Sequence, residues 1–132
     1  MSLFDISERY VLDLVFGSGT PASYEIGLLL AAPTEGGSLS EVTGVGYSRV
    51  VISNNVGMFP AATTLAGVTK KKNAAAIVFP TAGGAWGTVT HWFLYDPVGT
   101  RLMNWGALTP NRAISNGDIL RINVNQMEIS LD

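Results

Sequence analysis

The sequence predicts a mainly β protein: an antiparallel β-sandwich or jelly-roll-like barrel with one N-terminal α-helix. Three observations point there. First, apolar and polar residues alternate towards the end of the chain. Leu120, Ile122 and Val124, then Met127, Ile129 and Leu131, fall on one side, with Arg121, Asn123, Glu128 and Ser130 on the other. Second, turn chemistry punctuates the same half, as Asp96-Pro97-Val98-Gly99 and Asn116-Gly117. Third, helical periodicity occurs once, at the start, so strands follow a helix without alternating with more of them. That order disfavours a parallel α/β sheet.

Residues 2–16 are the helix candidate. Ser2 can cap it, and Asp5 sits near the positive end of its dipole. Ile6, Tyr10 and Leu14 recur every four residues, Leu3, Val11 and Val15 widen the stripe, and Gly17 supplies the stop. This stripe is expected to be covered by a sheet or a neighbouring subunit. The β-sandwich is expected over 24–132, and the chain of 132 residues as a single domain.

Within it, 17–23 reads as a loop and 24–32 as a strand buried on both faces, because Leu28, Leu29 and Leu30 are consecutive. Residues 33–46 form a long Gly-rich loop and 47–53 a second strand. Residues 54–73 show no clean period and read as an excursion with one short edge strand. A strand at 74–80 leads to a glycine-rich turn, 81–87, carrying Trp86. Residues 88–96 have large apolar groups at both parities and should be the central strand, with 100–109 as hairpin partner. A turn at 110–118 precedes strands at 119–124 and 127–132.

Charged residues make up only 14% of the chain, against the roughly one quarter that is usual. Much of the surface is therefore uncharged or apolar, as in subunits of assemblies. A net charge of −2 disfavours nucleic acid as partner. No apolar run is long enough to span a membrane. Cysteine is absent, which removes disulfides and thiolate sites. The acidic start MSLFDISERY lacks the basic flank of a signal peptide, so synthesis and use in a cytoplasm are expected.

His91 is the sole histidine and sits mid-strand between Thr90 and Trp92, with no nucleophile elbow nearby. A structural histidine is the ordinary reading of such a position. The ten carboxylates fall mostly in the helix, in turns and on outward strand positions, and their spacing singles out no close pair of the kind glycoside hydrolysis requires. No metal or cofactor motif occurs, so neither catalytic residues nor cofactor are expected. Lys70, Lys71 and Lys72 form the single charge run. It reads as a solvated loop tip or as an electrostatic foot on an acidic partner. Trp86, Trp92 and Trp105 read as core or interface residues, with a sugar platform as the alternative.

Four segments resemble a family of small virion structural proteins of tailed bacteriophages, often known as phage tail fibre proteins. They are 30–49 (with EVTGVGYSR), 73–91 (with FPTAGGAWGTVTH), 106–121 (with GAL, NRAIS and GDILR) and the final Leu131-Asp132. The similarity covers roughly residues 25–132, with the helix also in its expected place. It implies a non-enzymatic particle component made in the host cytoplasm. A chain this short, without heptads or repeats, suits a capsid decoration (cement) protein. Such a protein would bind the major capsid protein as a small homo-oligomer, a trimer for example. A tail or tail-fibre component, bound to tail proteins, is the alternative of the same class. A carbohydrate-binding module is the alternative of another. The loops at 33–46 and 54–73 are the expected contact segments. The matching residues are turn glycines and strand aromatics, so the resemblance carries over a fold and no catalytic positions.

Overall fold

The structure, a computed structural model, describes residues 4–130. Its elements run α1 (Asp5–Val15), β1 (Ser18–Leu29), β2 (Val50–Asn55), β3 (Thr63–Leu65), β4 (Val68–Lys72), β5 (Ile77–Val78), β6 (Gly87–Asp96), β7 (Arg101–Ile114), β8 (Arg121–Ile122) and β9 (Glu128–Ser130). Strand accounts for 46% and helix for 9%. The β1–β6, β6–β7, β3–β4 and β4–β9 ladders are all antiparallel. The mainly β, antiparallel class with one N-terminal helix is thus observed. The strands form sheets in the orders β2-β1-β6-β7, β3-β4-β9 and β5-β8. The expected cap Ser2, the stripe residue Leu3 and the closing Leu131-Asp132 lie outside the described residues.

Two compact units divide the chain. The second unit contains the later part of β1 (from Tyr24), β5, β6 and β7. As expected, β6 is central, lying between β1 and β7. It buries Val89, Trp92, Phe93 and Leu94, while β1 buries Tyr24, Ile26, Leu28 and Leu29. Rings lie directly over glycines on neighbouring strands. Gly27 pairs with Phe93 and Gly106 with Trp92, and a Cβ on either glycine would fall within 2.3 Å and 2.7 Å of the ring. Only a residue without a side chain admits that approach. At the β6–β7 turn, Asp96 Oδ1 accepts the N–H groups of Val98 and Gly99 at 2.9 and 3.0 Å.

The first unit contains α1 and the three-stranded sheet. Leu12 and Phe16 are the buried apolar residues of the helix end, with Phe16 edge-on to Phe59 at 5.7 Å. Val11 and Val15 are half-buried, and polar contacts add to this packing. Arg9 Nη1 donates to Thr64 Oγ1 (2.9 Å), and Thr69 Oγ1 donates to Glu8 Oε2 (2.7 Å). Because the Thr69 proton is used on Glu8, Thr64 is the donor in the 2.9 Å contact between the two threonines. An unbroken relay therefore runs from a cation to a carboxylate. Beside it, the buried Lys71 ammonium meets Asp13 Oδ1 at 2.9 Å and the Pro60 carbonyl at 3.1 Å. Asp13 also accepts the Ala62 N–H at 2.8 Å. Burial pushes Asp13 upward, but Lys71, the Ala62 N–H and Arg9 outweigh it and hold the carboxyl below its ordinary value.

Several sequence expectations are corrected. The helix spans Asp5–Val15, with Phe4 at its N-cap and no side-chain cap hydrogen bond. Strand begins at Ser18 rather than 24, because the buried Asn54 side chain fixes the segment through Gly17 N, Val15 O and Pro21 O. Leu30 falls outside β1 and is partly exposed, whereas Leu28 and Leu29 are buried. Residues 54–73 contain a full hairpin, β3–β4, turned by Ala66 (φ 52°) and Gly67 (φ 78°). The strand expected at 100–109 continues to Ile114 through Pro110. It can do so because β7 is an edge strand, where a missing N–H need not break a ladder bond. Only two residues of 119–124 are strand, and Val124 is exposed.

The Asp13–Lys71 geometry predicts unequal single substitutions. Asp13→Ala leaves a buried cation with carbonyls alone and should cost about 3 kcal/mol in urea unfolding. Lys71→Met removes the buried charge while Asp13 still reaches solvent, and should change stability by less than about 1 kcal/mol. Equal losses from both would show that the charge pair itself stabilises the fold.

Candidate interaction surfaces

The loop between β1 and β2 is long, and its path is set by one cation. Arg49 Nε and Nη2 each donate to Glu41 at 2.9 Å, and Nη1 reaches Glu25 at 3.2 Å. The guanidinium also lies 5.0 Å from the Phe93 ring centre and 4.9 Å from that of Tyr95. Two carboxylates and two ring faces thus share one planar group, an arrangement that a lysine cannot reproduce. Tyr47 completes it: its hydroxyl accepts the Leu28 N–H (3.0 Å) and donates to Glu41 Oε2 (2.7 Å). Trp86 packs edge-on to Tyr47 at 5.5 Å and donates its Nε1–H to the Val45 carbonyl (2.9 Å). Burial and the Glu41 hydrogen bond push the Tyr47 phenol well above its ordinary value. Burial also pushes Glu41 upward, but Arg49 and Tyr47 outweigh it and leave its carboxyl below the usual range.

This clamp covers the Phe93 and Tyr95 end of an aromatic face and leaves the end at Trp105 open. There, a cleft of about 270 Å³ lies between residues 33–39 and β7. Trp105 is 43% exposed, whereas Trp86 and Trp92 are 3% and 2% exposed. Of the three tryptophans singled out in the sequence, two are core and one is presented at the surface. His91 stands edge-on to Trp105 at 5.5 Å, with its Nδ1 2.7 Å from Thr90 Oγ1. The sole histidine therefore buttresses an exposed aromatic ring. Among the described residues, no group of His, Asp and Glu could hold a metal ion.

A second surface lies on α1. The expected stripe is present but faces outward: Ile6, Tyr10 and Leu14 are 71%, 66% and 56% exposed. Shifting a helical ridge by two residues turns it by about 200°, so the ridge through Glu8, Leu12 and Phe16 points the opposite way. That opposite ridge is the one that meets its own unit. Periodicity revealed the stripe, but the partners of Glu8, Arg9 and Asp13, all more than 45 residues away, decide which side is buried.

The lysine run lies on β4 rather than on a loop tip, so its side chains alternate. Lys71 is buried towards α1, while Lys70 and Lys72 face the other way and share Glu128 at 2.9 and 3.4 Å. Lys70 holds Glu128 below its ordinary value, with Lys72 adding to the effect. Leu65 and Val68 are exposed next to these two lysines. No helix of the described residues is long and apolar enough to cross a membrane.

The described residues form an antiparallel β protein that leaves the ridge of Ile6, Tyr10 and Leu14 and the Trp105 ring exposed, surfaces of the kind subunits present to neighbours. The family model described as podophage GP4 fiber I protein gp80 matches residues 2–130, and the chain belongs to that family of phage virion structural proteins. No curated protein matches the chain.

The clamp predicts that Arg49→Lys destabilises the protein by about 2 kcal/mol. Protection from hydrogen exchange should fall at Leu30 and Val42, whose N–H groups tie the loop to β1, and not at β3 or β4. Acid should loosen the same loop. A carboxyl with a depressed folded pKa adds stability above its unfolded value, 4.5 for Glu41, and loses it as pH falls through the folded value. Leu30 and Val42 protection should therefore decline below pH 4.5 in wild type, and decline less in Glu41→Gln.

Proposed function

We propose that the protein is a fibre component of a podophage virion that is held in place through the outward ridge of α1. Membership of the fibre protein family over nearly the whole chain carries this reading. The exposed Ile6, Tyr10 and Leu14 support it, because a ridge spaced by four residues is what one helix inserts into the groove of another. The neighbour would be another virion subunit or a second copy of this chain in a small homo-oligomer. Lys70 and Lys72 add a half-neutralised basic rim on the other face of the three-stranded sheet. Trp86 and Trp92 act here by ordering the core, and Trp105 by presenting a surface.

A capsid-decorating subunit bound to the major capsid protein is the second reading. One observation favours it: the described residues form compact units of strands no longer than 14 residues and one helix of 11 residues, with no shaft-like coiled coil among them.

Dissociating purified particles and counting this chain in each fraction separates the two. A few to a few dozen copies (roughly what fibres at one vertex require) staying with the tail are expected. Hundreds released with the shell would establish decoration instead. Particles carrying Ile6→Ser with Leu14→Ser should lose the chain during purification although the isolated variant remains folded. Retention at wild-type level would remove the α1 ridge from the attachment surface.

A further inference from the structure

The cleft beside Trp105 has the features of a ligand site, and the function proposed above does not use it. Trp105 presents an indole face beside a concavity, and its Nε1–H has no partner among the described residues. By contrast, the Trp86 Nε1–H is fixed on the Val45 carbonyl. The ring does not have to be ordered on binding. Phe93 pairs with Trp105 across the ladder, and His91, itself held by Thr90, stands against it. The opposite wall is equally fixed. Gly37 N–H donates to the Thr34 carbonyl (2.9 Å), Ser38 N–H to Thr34 Oγ1 (3.1 Å), and Thr34 N–H to the Ser38 carbonyl (3.3 Å). A Cβ on Gly37 would lie 3.2 Å from Leu102 Cδ1, so glycine lets this wall close down on β7.

The lining combines the Trp105 ring with Thr34 and Glu35 at the margin. A volume of about 270 Å³ is just below the roughly 300–1,000 Å³ usual for small-molecule sites. That suits one ring rather than an extended chain. The chemistry selects among rings. An aromatic face receives the C–H face of a pyranose, while a carboxylate and a hydroxyl at the edge receive its hydroxyls. Glu35 at the lip and the net charge of −2 disfavour a phosphorylated ligand.

We propose that the cleft between residues 33–39 and β7 binds a single uncharged pyranose ring, stacked on Trp105 with its hydroxyls on Glu35 and Thr34. The proposal does not depend on where in the particle the chain sits. It can be tested on the purified chain by saturation-transfer NMR, with free hexoses, 6-deoxyhexoses and N-acetylhexosamines as probes. At least one class should give saturable transfer, strongest at the protons of one ring face, together with a change in tryptophan emission. Trp105→Ala should abolish the transfer, and Glu35→Gln should weaken binding about tenfold. Trp105→Phe, which keeps a smaller ring, should retain weak binding and guards against a folding defect in the alanine variant. Absence of transfer from every class, or equal transfer from the folded Trp105→Ala variant, would overturn the proposal.

Discussion

One guanidinium organises the second unit. Arg49 joins Glu41 and Glu25 to the faces of Phe93 and Tyr95, and so converts a Gly-rich segment into a wall over the central strand. Tyr47, Trp86 and the Val45 carbonyl follow from that placement, since each contacts a neighbour that the clamp has already positioned. The ion pairs alone would be modest at this partial exposure. Their effect lies in geometry: a planar fork satisfied on its edge and stacked on its face has a single position.

The first unit uses the opposite chemistry for a comparable purpose. Its helix is fixed by a relay from Arg9 to Glu8 and by Lys71 on Asp13, beside the buried Leu12 and Phe16. Directional polar contacts set the rotation of the helix about its axis, and the apolar ridge is consequently left outside. The buried Leu12, Phe16, Met58, Phe59 and Ile129 form the apolar interior of the unit, while Ile6, Tyr10 and Leu14 stay exposed.

What was legible in the sequence was what local chemistry decides. The central strand, the Asp96 turn and the Asn116-Gly117 turn announce themselves through alternation and turn residues within ten positions. The β3–β4 hairpin did not, because Ala66-Gly67 is a weak turn signal and three successive lysines hide their alternation. The outward rotation of α1 and the exposure of Trp105 rather than Trp86 depend on partners far along the chain. Composition could indicate that some apolar surface would be free. It could not say which.

β7 is both an edge strand and the longest strand, with 14 residues. Such an edge is a ready template for a further chain. Between its pairings with Val89 and His91, however, β7 advances five residues while β6 advances two, and Pro110 lies within the excess. The run of backbone donors along this edge is therefore interrupted near its middle, which disfavours open-ended strand-to-strand growth between copies.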